Sequence, residues 1–200
     1  MNMKKIISFF IVACCAMCAT AAKVVWQIGV ADNSGTELAL GPSEYKKFLA
    51  HDFGYEDRYF LVGTSVDKND FPYVLPGPDD TWGGTWSTSG WRTHDANILF
   101  GIKKLPKHGK WKLVVDLVDA NPSRSVVKVM VNSAEKKFEI KGHSKGVLEG
   151  NLQDAKEQIL EFPISADDLK KGGNMVTVSV LEGGWIVFDQ IRLEGADELV

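Results

Sequence analysis

The sequence predicts an all-β sandwich, and three observations carry that reading. From Ala96 onward, short β-branched and aromatic runs are separated by Gly, Asn, Pro and charged clusters, the spacing of antiparallel strands. Within Trp111-Lys112-Leu113-Val114-Val115-Asp116-Leu117 the odd positions are apolar while Lys112 and Asp116 fall on the other face, which predicts a strand with one wet side. Helical signal is slight, so helices cannot organise the core.

The chain opens on Lys4 and Lys5, an apolar run from Ile6 to Ala13 and the small-residue stretch Ala19-Thr20-Ala21-Ala22, the three parts of a signal peptide spanning residues 1–22. That apolar run is far shorter than the roughly 20 residues a bilayer-spanning helix needs, and no later segment supplies one. The expected localisation is therefore exported, periplasmic or extracellular. Ile11-Val12-Ala13-Cys14 also resembles a lipoprotein cleavage box, the alternative that would anchor the chain at Cys14. All three cysteines, Cys14, Cys15 and Cys18, lie in the leader, so a domain over residues 23–200 would fold without disulfides or metal thiolates.

Without Lys4 and Lys5 the formal charge moves from −3 to −5, and the remaining Lys and Arg are scattered among Asp and Glu along the chain. This argues against nucleic acid, whose affinity rests on clustered cationic contacts to phosphate.

Pro42 to Leu49 begins with a plausible cap and reads as a short helix, and Ser165-Ala166-Asp167-Asp168-Leu169 reads as one capped turn. Residues 65–95 form a long segment broken by Pro72, Pro76, Gly77, Pro78, Gly83, Gly84 and Gly90 yet rich in tryptophan, the composition of a functional loop rather than a disordered one. Strands follow at about 97–102, 111–118, 126–132, 136–140, 157–163, 175–181 and 185–193. Glu182-Gly183-Gly184 is short enough to join the last two as a C-terminal hairpin. In that final strand Trp185, Val187 and Ile191 are expected in the core, with Asp189 and Arg192 toward solvent.

Two series of runs carry a family resemblance. Val25-Trp26-Gln27-Ile28-Gly29-Val30-Ala31-Asp32-Asn33-Ser34-Gly35-Thr36-Glu37-Leu38 opens the first. Tyr59-Phe60-Leu61-Val62-Gly63, then Pro72-Tyr73-Val74-Leu75-Pro76-Gly77-Pro78-Asp79-Asp80-Thr81-Trp82, continue it. Val115 to Ala120, Val129 to Asn132 and Gly183 to Leu193 follow in order. Together they resemble the galactose-binding-like domain of rhamnogalacturonan lyases, the C-terminal type in polysaccharide lyase family 4, over nearly the whole chain after the leader. The resemblance implies a jelly-roll sandwich acting as a carbohydrate-binding module, with catalysis residing in a separate large domain.

The candidate ligand-binding residues are Tyr73, Asp79, Asp80, Trp82, Trp86, Trp91, Arg92, His94 and Asp95. Indole faces accept the C–H patches of sugars, and the polar groups supply hydrogen bonds. A loop indole also serves as a plug onto the sandwich, and Asp79-Asp80 after Gly-Pro also suits a plain turn. Trp26, Trp111 and Trp185 lie on strands and are expected in the core. Gly183-Gly184 marks a conformation only glycine tolerates, or a close backbone approach. No catalytic residue is assigned: His51, His94, His108 and His143 stand isolated, with no metal-ligand spacing. No cofactor is expected. Structural calcium occurs in this fold by resemblance, but no loop shows calcium-loop spacing, and the metal content stays open. The expected partner is a polysaccharide, with a partner enzyme as a further one. The rivals to an exported, non-catalytic pectin-type binder are a small lyase or hydrolase using His94 or Asp95, and a docking module for a cell-surface protein.

Overall fold

A computed structural model describes residues 23–42, 44–48, 57–82, 94–105 and 110–195. These described residues form ten strands: β1 (Lys23–Gly29), β2 (Arg58–Leu61), β3 (Val74–Leu75), β4 (Asp95–Ile102), β5 (Trp111–Ala120), β6 (Arg124–Val131), β7 (Ala134–Lys141), β8 (Gln158–Ile164), β9 (Gly172–Glu182) and β10 (Ile186–Gly195). They form two sheets, β1-β10-β5-β8 with β3 added beside β10, and β2-β4-β9-β6-β7. The pairings are antiparallel except β2 with β4. Among the described residues the helical content is a single turn, α1 (Asp67–Asp70), and 3-10 turns at Tyr45–Lys47, Lys145–Glu149 and Ala166–Asp168. The all-β sandwich is thus as the patterning predicts, and Ser165 and Asp168 close a full capping box around the last of those turns.

From β5 onward the chain makes one true hairpin, β6–β7, whose two-residue turn places Asn132 at φ 53°. The expected C-terminal hairpin is corrected. β9 pairs with β4 and β6 in one sheet, and β10 with β1 and β5 in the other, so Gly183-Gly184 carries the chain across the sandwich. Gly183 sits at φ +82°, and a Cβ there would lie 2.2 Å from the Arg124 carbonyl oxygen; one on Gly184 would lie 2.3 Å from Asn121 Nδ2. The close approach read from these glycines is real, and its partner is the chain itself.

The core fills from the inward rows of both sheets. Leu113, Val115 and Leu117 of β5 face the same interior as Ile98 and Phe100 of β4 and Val176, Val178 and Val180 of β9, and Trp26 tilts against Phe100 at a 5.4 Å centroid separation. Trp26, Trp111, Trp185, Val187 and Ile191 are buried as expected.

Two acidic residues expected toward solvent are buried. Asp116 is 2 % exposed, and Val114 and Val118 on its row are fully buried, so both faces of β5 are covered. Arg192 lies across from Val114 and stretches over this row, its guanidinium 2.9 Å from Gln190 Oε1, 2.8 Å from Glu194 Oε1 and 4.0 Å from Asp116 Oδ2. Arg192 is itself only half-buried, nearer the expectation. Asp189 is fully buried; it shares the parity of Val187 and Ile191, and a register shift between Phe188 and Gln190 sets it in a bulge. Its Oδ1 accepts the Ser34 backbone N–H at 3.0 Å.

Candidate functional site

The described part of the tryptophan-rich segment lies where β3 ends and β4 begins, against the turn between β9 and β10. Each of its residues is set there by backbone packing. Pro72 bridges Ala39, and Tyr73 accepts the Phe188 N–H on its carbonyl at 2.7 Å, which fixes the segment on β10. Gly77 then passes so close to the β9–β10 turn that a Cβ would sit 2.3 Å from the Gly183 carbonyl oxygen. The Asp79 N–H donates to that same oxygen at 3.0 Å.

Tyr73 is therefore corrected as a ligand contact. It is 0 % exposed, and its hydroxyl donates to the Leu148 carbonyl at 2.9 Å, so the ring is a core pillar with a satisfied polar tip. Asp80 is also buried. Its Oδ2 accepts the Gly77 N–H at 2.8 Å while its own N–H returns to the Gly77 carbonyl at 3.1 Å, closing the turn that its sequence context suggests. Burial, with Asp79 adding like charge, pushes this carboxyl up to about 7 against the pull of the Gly77 and Trp185 N–H groups. Asp80 thus clamps the segment to the β9–β10 turn.

Asp79, by contrast, is exposed, and Trp82 is half-buried. The Trp82 indole stands edge-on to Tyr45 at 5.0 Å and to Phe48 at 5.8 Å. Tyr45 and Phe48 were not singled out by the sequence reading. The only signal they offered was two aromatics three residues apart in the Pro42–Leu49 run, which suits a helical turn equally well. His94 is buried, and Asp95 is half-buried with its Oδ1 accepting the Ser179 hydroxyl and its N–H donating to Asp57 Oδ1 at 3.0 Å. Trp86, Trp91 and Arg92 lie outside the described residues. Of the nine candidates, then, the structure brings Asp79 and Trp82 to one accessible rim and turns Tyr73, Asp80 and His94 inward.

His143 is exposed, and His51 and His108 fall outside the described residues. Among the described residues no three His, Cys, Asp or Glu side chains converge in a way that could hold a metal ion. No helix among them is long and apolar enough to cross a membrane.

The family described as CBM-like, polysaccharide lyase family 4, domain III, matches residues 24–193. The rhamnogalacturonate lyase of Dickeya dadantii (strain 3937) is 24% identical over 183 residues; these cover 86% of this chain, which spans only 28% of that enzyme's length. Among solved structures, a family 35 carbohydrate-binding module from Clostridium thermocellum is 11% identical over 50% of this chain and 68% of that one, at a TM-score of 0.34. A family GH115 4-O-methyl-α-glucuronidase, BtGH115A, is 19% identical over 56% of this chain and 15% of that one, at 0.32.

Proposed function

Because the chain belongs to the CBM-like family of polysaccharide lyase family 4 domain III, we propose that it is an exported, non-catalytic carbohydrate-binding domain. It contacts pectic or related polysaccharide at the Asp79–Trp82 rim and serves glycan degradation beside a partner enzyme. Residues 1–22 are its leader. The observation that carries the reading is Trp82, an indole held half-exposed on an aromatic seat beside the exposed Asp79. A rigidly backed indole offers a sugar its flat face with little ordering cost, and the neighbouring carboxylate accepts from sugar hydroxyls.

The non-catalytic part rests on the state of the acid and base candidates. His94 is buried, Asp80 is committed to a backbone clamp, and Asp95 is hydrogen-bonded to Ser179. Lyase chemistry needs a base beside the sugar C5 and a cation on its carboxylate, and these three candidates are buried or held by hydrogen bonds within the chain.

Isothermal titration calorimetry against rhamnogalacturonan and galactan oligosaccharides tests this. Wild type binds, and Trp82→Ala loses roughly tenfold or more in affinity, the cost of about 1.4 kcal/mol of stacking. Unchanged affinity in Trp82→Ala removes the rim. Accumulation of unsaturated, ultraviolet-absorbing product replaces the binding reading with an enzymatic one.

A further inference from the structure

The outward face of the β2-β4-β9-β6-β7 sheet carries an open trough that shares no lining residue with the rim. Its volume is about 450 Å³, and it is lined by Leu61, Leu99, Gly101, Gly173, Asn174 and Met175 among others. The register explains why it exists: Leu61 pairs with Leu99, Leu99 with Met175, and Gly101 with Gly173, so one apolar rung lies beside a pair of facing glycines. Nothing lies within 4 Å of where either glycine's Cβ would be. The floor there is bare backbone.

One end of this face holds Tyr59, 62 % exposed and two positions before Leu61 on the same strand. The other end is cationic. Ile102 pairs with Gly172 on the last rung, and the residues just beyond it are Lys103-Lys104 on one strand and Lys170-Lys171 on the other. All four are exposed, and no ion pair engages them among the described residues. The nearest acids in sequence are Asp167, which is exposed, and Asp168, whose carboxylate is spent on the Ser165 N–H.

The lysine-bearing loop is also built into place. Asn174 is buried; its Oδ1 accepts the Lys170 N–H at 2.8 Å, and its Nδ2 donates to the carbonyls of Lys170 at 2.8 Å and Gly172 at 3.0 Å. Asn132 locks the same loop from the β6–β7 turn, donating to the Asp168 carbonyl at 2.7 Å and to Asn174 Oδ1 at 2.9 Å. With these amides engaged, the trough between Leu61 and the facing glycines offers apolar surface; cationic charge enters at its lysine end, and at the Tyr59 end the nearby carboxylate of Asp95 is held by the Ser179 hydroxyl.

We propose that this sheet face, from Tyr59 to the two lysine pairs, binds a strand of carboxylated polysaccharide at a site separate from the Asp79–Trp82 rim. The proposal rests on the carbohydrate-binding reading and adds to it a second site and a ligand class. Charge complementarity selects the occupant: four unpaired lysines meet carboxylates, while Tyr59, Leu61 and Met175 meet the C–H faces of the rings. From the level of Tyr59 to that of Lys103 the strands run six residues, about 20 Å at ~3.3 Å per residue, which suits an extended oligosaccharide.

The test uses the full chain in calorimetric titrations with polygalacturonate and with its fully methyl-esterified form, at low and high salt. Wild type binds polygalacturonate about tenfold more tightly than the ester, and high salt erases the difference. Lys103→Glu/Lys171→Glu weakens polygalacturonate binding by about tenfold and leaves the ester unaffected. Tyr59→Ala weakens both ligands, and Tyr59→Phe restores them. All variants keep wild-type denaturation midpoints because the changed side chains are exposed. Polygalacturonate binding that survives the double charge reversal overturns the proposal. So does equal or tighter binding of dextran sulfate or of phosphatidylglycerol vesicles. Trp82→Ala separates the two readings: loss of neutral galactan with polygalacturonate retained keeps both sites, and loss of both ligands in that variant alone leaves only the rim.

Discussion

Asp119 offers the sharpest test of how the fold is held. It is fully buried near the end of β5, and its two oxygens accept four backbone N–H groups. Oδ1 takes those of Ala120 at 2.8 Å and His143 at 2.9 Å, and Oδ2 those of Ser144 at 2.9 Å and Lys156 at 3.2 Å. One carboxylate thus ties both ends of the 142–157 connection to the central sheet, including the turn that carries the buried Val147 and Leu148. Hydrogen bonds to a charged group contribute roughly 1.5–3 kcal/mol each, but not additively, and three of the four donors are close enough to the surface to recruit water. Asp119→Ala should therefore cost about 3 kcal/mol. Asp119→Asn should cost nearly as much, because whichever way the amide turns, its NH₂ faces two N–H donors and accepts from neither. Urea denaturation reads this as a lower midpoint at unchanged slope, and calorimetry as a fall in Tm of roughly 6–12 °C for a chain of this size. An Asp119→Asn variant within about 0.5 kcal/mol of wild type would refute the four-donor account.

Trp185→Ala removes a core indole and should cost about 3–5 kcal/mol in chemical denaturation, against a small change for Trp82→Ala, whose ring is half-exposed. Gly142→Ala should cost about 3 kcal/mol in the same assay, because its Cβ would lie 1.6 Å from the Ala120 carbonyl oxygen and the connection must move. The carboxyls of Asp80 and Asp116 are raised by burial from 3.8 to about 7 and about 6. The folded state therefore binds more protons than the unfolded one between those values. The stability they contribute is full below about pH 4 and is lost as pH rises through 6 to 7. Asp116→Asn should accordingly gain on wild type as the pH of denaturation is moved from 5 to 8, and parallel pH profiles for the two proteins would refute the assignment.

Much of the fold is legible in the chain alone, because strand patterning is local. The alternation in Trp111 to Leu117 and in Asn174 to Val180 marks strands within a few residues of their observed ends, and the Ser165 capping box announces its turn. What alternation reports is which side chains share a face. It does not report whether that face is covered, and so Asp116 reads as wet although Arg192 and its neighbours lie over it. Asp189 has the parity of the core residues Val187 and Ile191, and its polar character alone suggested solvent; the bulge there and the Ser34 N–H give the buried carboxylate its place. Gly183-Gly184 tells that the chain turns, but only the competing partners β4, β6, β1 and β5 decide that β9 and β10 enter different sheets. The candidate site divides the same way. Aromatic density in residues 65–95 draws attention to Trp82, whereas the seat made by Tyr45 and Phe48, the burial of Tyr73 and the clamp at Asp80 come from contacts across the chain. The lysines look scattered because Lys103-Lys104 and Lys170-Lys171 lie far apart in sequence; the Ile102–Gly172 rung makes them neighbours. Sequence determined the seven strands from β4 onward, the fold class and the family; tertiary pairing alone determined the short strands β2 and β3, which charges are buried and which are gathered, because burial and charge density are properties of surfaces that distant segments build together.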